Sequence, residues 1–285
     1  MSEPIVDLLL AEWAILLELG STLAEGDWDI PTDLPGWSVR DNLSHLIGIE
    51  RTLLGDPAPE GYGEAATAPH VKNPIGEMNE KWVASYRDKP GRAVLAEFAA
   101  VVDRRQDALA AMSTEEFDKK GWTPIGEAPY REFMGIRLMD TWAHEQDIRR
   151  ATGRSGNLDG PVAEKCLERV ESALPFIVGK KAAAPEGSLI AFHLTGPIAK
   201  TVAIVVENGR ARTVGALFPG DEPREDGASV DLDQATTEVS LSSEAFCCLG
   251  FGRWDPAAAL EKGMVTVSGD TTLGRRIITA MPFMI

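Results

Sequence analysis

Apolar and polar positions divide this chain into two textures. In the first half the apolar residues recur at helical spacing. "IVDLLLAEWAILLELGSTLA" places them on near and far faces alike, which predicts a helix buried inside a bundle. "DIPTDLPGW" interrupts with two prolines and a glycine and reads as a compact turn. "SVRDNLSHLIGIERTLLG" resumes the helical period, with Ser38 as N-cap and Asp41 three residues on as its capping-box partner. After the loop "DPAPEGYGEAATAPH", helical patterns return at about 78–86, 92–112 and 131–152. Long helices joined in this way predict a four-helix bundle, where sites are built from facing helices.

Beyond "TGRSGNLDG" the texture changes. A helix over about 161–178 leads through "GKKAAAPEGS" into three short strands, "LIAFHLTG", "KTVAIVVENG" and "RARTVGAL". A helix near 243–251, a strand "MVTVSG" and a closing helix "TTLGRRIITAM" complete the pattern. The fold expected is thus two domains, an all-α bundle over 1–155 and an α+β domain over 156–285. The run "GDEPREDGASVDLD" reads as a solvated loop.

Composition narrows the function. A net charge of −16 lacks the basic footprint of a nucleic-acid binder. No apolar run approaches the ~18 residues of a membrane span. The N-terminus starts acidic, without the basic region of a secretory signal, so a cytoplasmic protein is expected. Cys166, Cys247 and Cys248 make neither a disulfide framework nor a C-x-x-C motif, and none is read as a nucleophile.

Candidate chemistry lies with the four histidines. His70 falls in the Pro/Ala loop and is expected to be exposed and incidental; His193 alternates with apolar neighbours in a strand and reads as structural. His45 lies on the second helix among Leu43, Leu46, Ile47 and Ile49. In "RLMDTWAHEQDIRRATGR", Asp140, His144 and Asp147 follow one another at four and three residues, on one helix face. A carboxylate and an imidazole one turn apart can share an ion, with a third ligand from a facing helix. A solvated polar edge with an Asp–His hydrogen bond is the alternative.

These segments carry a resemblance. "LPGWSVRDNLSHL" is similar to the turn and second helix of the DinB-like metal-binding four-helix bundles. "RLMDTWAHEQDIRRATG" resembles the last helix of that bundle in the mycothiol-dependent maleylpyruvate isomerase family. "GRWDPAAALEKGMVTVSGDTTLGRRIITAM" resembles the end of that family's sterol-carrier-like C-terminal domain. The resemblance implies a metal triad of His45, Asp140 and His144, with aspartate where the family carries glutamate. It implies a divalent ion, most simply zinc, with mycothiol, the cytoplasmic thiol of actinobacteria, as thiol cosubstrate. The reaction implied is thiol transfer to a small-molecule electrophile or cis–trans isomerisation. Asp147 then reads as a group behind the ligands, and Arg253, Arg275 and Arg276 as candidates for an anionic group, because Arg presents a planar fork. Trp37, Trp142 and Trp254 read as core or domain-interface residues. Two other classes stay open: a zinc hydrolase with Asp147 or Glu145 as base, and a non-catalytic metal or small-ligand binding protein.

Overall fold

The computed structural model describes residues 3–124, 126–217 and 229–283. The chain divides into two compact units, Met1–Asn157 and Leu158–Ile285.

The first unit is mainly helical: α1 (Pro4–Thr22), α2 (Val39–Leu53), α3 (Pro74–Ala84), α4 (Gly91–Ala110), α5 (Thr114–Asp118) and α6 (Tyr130–Thr152). Helix α1 packs on α4 and α6, and α2 on the same two, so the four longest helices close a ring. Leu9, Leu16, Leu46, Ile47, Val94, Phe98 and Leu138 are buried inside it. Each such side chain contributes about 1.5–3 kcal/mol of apolar transfer. Helix α1 departs from the expectation of burial on every face. Asp7, Ala11, Ala14 and Glu18 are exposed, opposite Leu9, Trp13 and Leu16. Three of its leucines, Leu8, Leu10 and Leu17, are only half covered.

A second departure is a hairpin inside the expected all-α half. Strands β1 (Lys120–Thr123) and β2 (Gly126–Pro129) pair antiparallel, with Trp122 opposite Glu127 and 70% exposed. Four-residue strands with an outward tryptophan carry no apolar alternation, so the pattern did not announce them. Helix α3 also starts earlier than its apolar period, because Asn73 caps it through Gly76 and Pro74 occupies its first turn. Gly153 stops α6 in the left-handed conformation, φ 65°.

The second unit holds α7 (Gly160–Phe176), strands β3 (Leu189–Thr195), β4 (Lys200–Glu207), β5 (Arg210–Leu217), β6 (Ser229–Asp231), β7 (Thr237–Ser242) and β8 (Val265–Gly269), and helices α8 (Ser243–Gly250), α9 (Pro256–Glu261) and α10 (Thr271–Ala280). The sheet order is β6-β5-β4-β3-β7-β8. It is antiparallel except where β3 meets β7 and β5 meets β6. The apolar run of β3 is buried on both sides, as a central strand requires. Phe192 meets Phe246 of α8 edge-on with ring centroids 6.2 Å apart. Leu189, Ala203, Val205 and Val214 cluster together, with Leu232 and Ala235 against them. The acidic run lies outside the described residues over 220–228. Its end is not a loop but strand β6.

Candidate metal centre

The site begins at the Pro-Gly-Trp-Ser turn. Gly36 sits at φ 81°, and a Cβ there would come within 2.5 Å of the His70 ring, so both conformation and space demand glycine. Ser38 then caps α2. Its Oγ accepts from Asp41 N at 3.3 Å while Asp41 Oδ2 accepts from Ser38 N at 2.8 Å. This cap fixes the helix on which Asn42, His45 and Glu50 project.

Helix α6 faces α2 and brings Asp140, His144 and Asp147 to the seam. His45 Nε2 stands 3.2 Å from Asp140 Oδ2, and His144 Nε2 stands 3.6 Å from Asp140 Oδ1. One donor atom from each of His45, Asp140 and His144 lies within 4.8 Å of the others. Donors ~2.1 Å from a tetrahedral ion lie roughly 3.4 Å apart, which these separations approach. Both imidazoles are buried and the Asp140 side chain is 19% exposed. The three residues thus fit a divalent ion in donor type and in spacing.

The tautomer of His144 follows from its neighbours. Asn42 Nδ2 donates to Ser38 O at 2.8 Å and to Thr32 Oγ1 at 3.1 Å. The Asn42 side-chain oxygen therefore faces His144, and Nδ1 lies 2.6 Å from it, so Nδ1 carries the proton and donates. That leaves the lone pair of His144 on Nε2, the atom turned to Asp140. Behind it, Asp147 is fully buried, with Oδ2 3.5 Å from His144 Nδ1 and Oδ1 accepting from Arg150 Nη2 at 2.5 Å.

Burial pushes the His45 imidazole down to about 4, against the pull of Asp140, so it is neutral near pH 7 and able to ligate. Its Nδ1 is buried without a hydrogen-bond partner among the described residues. Burial works to raise the Asp140 carboxyl, but His45 and Arg137 outweigh it and hold the group well below the usual carboxylate range.

Trp37 closes one side, its ring 5.1 Å from His45 and 5.8 Å from His144. Its Nε1 donates to Glu80 at 2.9 Å, and Glu80 also meets His70 at 2.9 Å and Arg87 at 2.6 Å. His70 is therefore not incidental. It is half-buried and held by Glu80, pinning the Pro/Ala loop beside the turn. His193 meets Thr201 in the second unit, and the three cysteines are buried.

Arg253 and Arg275 belong to the second unit. Arg253 donates to Phe251 O at 3.1 Å, and Arg275 is exposed. Arg276 donates to Ala182 O at 2.7 Å. Trp142 is buried and donates to Asn157 O at 2.8 Å, while Trp254 is half-buried.

Sequence reasoning missed Asn42, Arg137, Glu50 and the contact of Trp37 with both imidazoles. A signal existed for the first three. Asn42 precedes His45 by three residues and Arg137 precedes Asp140 by three, each one turn away on its helix. Glu50 is a charge in register with Leu43, Leu46 and Ile47, so it had to find a buried partner.

Known proteins resemble this chain in sequence and in fold. Residues 9–149 match the model of the mycothiol maleylpyruvate isomerase N-terminal domain. The uncharacterized protein Rv0036c of Mycobacterium tuberculosis is 29% identical over 153 residues, 53% of this chain and 57% of that protein. Rv0738 of the same organism, also uncharacterized, is 30% identical over 136 residues, 45% of this chain and 69% of that protein. The chain thus spans 57% of the length of the first of these relatives. A crystal structure of the mycothiol-dependent maleylpyruvate isomerase aligns over 93% of both chains, with TM-score 0.56 and 17% identity. A histidine-to-alanine variant of it aligns over the same share, with TM-score 0.54 and 16% identity. At such identities the likeness is one of fold. The family model itself runs through α2 and α6, the helices that carry the three donors, and the chain belongs to the mycothiol-dependent maleylpyruvate isomerase family.

Proposed function

We propose that this protein is a metal-dependent, mycothiol-dependent isomerase or S-transferase acting on a small electrophile. His45, Asp140 and His144 hold one divalent ion, most simply zinc. The observation that carries the reading is the convergence of three donors in ligating form: His144 with Nε2 turned to Asp140, His45 neutral, Asp140 ionised. An ion held by three protein ligands keeps a position open and makes a thiol available as thiolate at neutral pH, where a free thiol of pKa ~8.5 stays mostly protonated.

The chain's own residues then orient and enclose. Asn42 fixes the His144 ring, Asp147 and Arg150 back it, and Trp37 walls one side. The thiol sulfur adds to an electron-poor double bond and departs after rotation, giving cis–trans isomerisation, or displaces a leaving group, giving a conjugate. No protein nucleophile is required, in keeping with three buried cysteines. The first unit reads as a DinB-like bundle and the second, a mixed sheet with helices, as a sterol-carrier-like domain; Arg253 and Arg275 stay candidates there for an anionic group. A cytoplasmic setting goes with the thiol; no helix among the described residues is long and apolar enough to cross a membrane.

The hydrolase alternative is less well supported. Its two candidate bases are engaged, Asp147 by Arg150 at 2.5 Å and Glu145 by Arg149 at 2.5 Å. The test is spectroscopic. Cobalt-substituted protein titrated with mycothiol should develop a sulfur-to-cobalt charge-transfer band, absent in His45→Ala. Mycothiol binding that leaves the cobalt spectrum unchanged would defeat the mechanism. Thiol-independent cleavage of esters or amides would favour the hydrolase, and protein that takes up no metal would favour a binding role.

A further inference from the structure

Glu50 is fully buried on α2, where a lone carboxylate would be costly. Two arginines from two other helices meet it. Arg105 of α4 donates Nε to Oε2 at 2.8 Å, and Arg137 of α6 donates Nε and Nη2 to Oε1 at 3.0 and 2.8 Å. Both arginines are themselves buried, and Arg105 is held further by Tyr130 Oη at 3.0 Å. One carboxylate against two guanidinium groups leaves one positive charge over. The remaining arm of Arg137, Nη1, donates to Asp140 Oδ2.

The geometry of that arm is determined by the rest of the fork. Guanidinium is planar, so once Nε and Nη2 are clamped on Glu50 the direction of Nη1 is fixed. Asp140 consequently presents its two oxygens to different partners. Oδ2 lies toward Arg137 and His45, and Oδ1 toward His144. An aspartate on a helix has one soft torsion at its carboxyl group, and a hydrogen bond to one oxygen sets it.

We propose that Arg137 is a positioning residue of the metal centre. Clamped by Glu50, which Arg105 holds in turn, it occupies one oxygen of Asp140, so that the carboxylate meets an ion through one oxygen rather than two. This rests on reading the cluster as a metal centre. In that arrangement α4 carries no ligand yet contributes to the site, because Arg105 belongs to it.

The experiment compares zinc affinity, by competition with a chromophoric chelator, and the visible spectrum of cobalt-loaded protein in native chain, Arg137→Met and Arg137→Lys. Arg137→Met leaves Glu50 paired with Arg105. Arg137→Lys keeps the buried charge but not the planar fork, and serves if the methionine variant does not fold. In both, zinc should bind about tenfold to hundredfold more weakly. The cobalt d–d bands should lose intensity as the second oxygen of Asp140 enters the coordination shell. Unchanged affinity and spectrum would overturn the proposal, and tighter binding would make Arg137 a competitor of the ion rather than its support. Native protein that takes up no zinc overturns the metal reading together with this one. Native protein that binds zinc while both variants match it overturns this one alone.

Discussion

The Nδ1 atom of His144 lies 2.6 Å from the side-chain oxygen of Asn42, across the seam between α6 and α2. This contact decides which imidazole nitrogen carries a lone pair toward Asp140. Replacing Asn42 with alanine frees the ring to rotate and to exchange tautomers. We expect zinc to bind about tenfold to hundredfold more weakly in Asn42→Ala, measured by chelator competition. Equal affinity in the two proteins would show that the ring is held by something else.

Metal removal gives a second expectation. An ion that binds only the folded chain stabilises it by about 2.7 kcal/mol at one hundred times Kd. Scanning calorimetry of the native protein should therefore show a higher Tm with zinc than after chelation. His144→Ala should lose that increment, since it removes one of three donors. A variant that keeps the full zinc-dependent rise would exclude His144 as a ligand.

A third prediction concerns the opposite side of α6. Glu12 of α1 is fully buried and hydrogen bonded to Asn157 Nδ2 at 3.0 Å, which also donates to Glu145 at 2.7 Å. Burial first, then the charge of Glu145, pushes the Glu12 carboxyl well above its usual value. The folded state then holds a proton that the unfolded chain releases. Stability from this group is fully present below the unfolded carboxylate pKa and is lost as pH rises toward the raised folded value. Glu12→Gln keeps an acceptor for Asn157 and cannot ionise. Its Tm should exceed that of the native protein at pH 8, with the gap closing as pH falls toward the ordinary carboxylate range. A gap independent of pH would contradict the assignment.

Close packing sets a fourth. A Cβ on Gly48 would lie 2.4 Å from Trp82 Cβ, at the α2–α3 contact. The clash falls on the root of the tryptophan, which cannot swing away as a chain end could. Gly48→Ala should cost about 1–3 kcal/mol in urea unfolding. A neutral result would mean that α3 shifts freely against α2.

How much of this was legible depends on the kind of signal. The cap at Ser38, the helix that carries His45 and the Asp140–His144 turn all come from local spacing, which a sequence displays directly. The β1–β2 hairpin was not legible, because four-residue strands around Trp122 have no buried face to impose alternation. Strand β6 was hidden by acidic neighbours, and it pairs with β5 in parallel. The role of Asn42 was invisible for a different reason. Its amide serves three partners, one of them 102 residues away, and only tertiary closure names that partner. His70 misled for the same reason: its loop composition says exposure, while Glu80 and Gly36 supply a socket.

His45 and Asp140 meet across 95 residues of chain. Asp140 and His144 need only a turn of helix to come together, whereas His45 arrives when α2 and α6 dock. Two of the cluster's three donors thus lie within one helix, and the set is complete only through long-range closure, the kind of contact that is slow to form in such a topology. Any ligand that requires all three donors becomes a reporter of completed tertiary structure, silent on a chain whose helices have formed but not yet met.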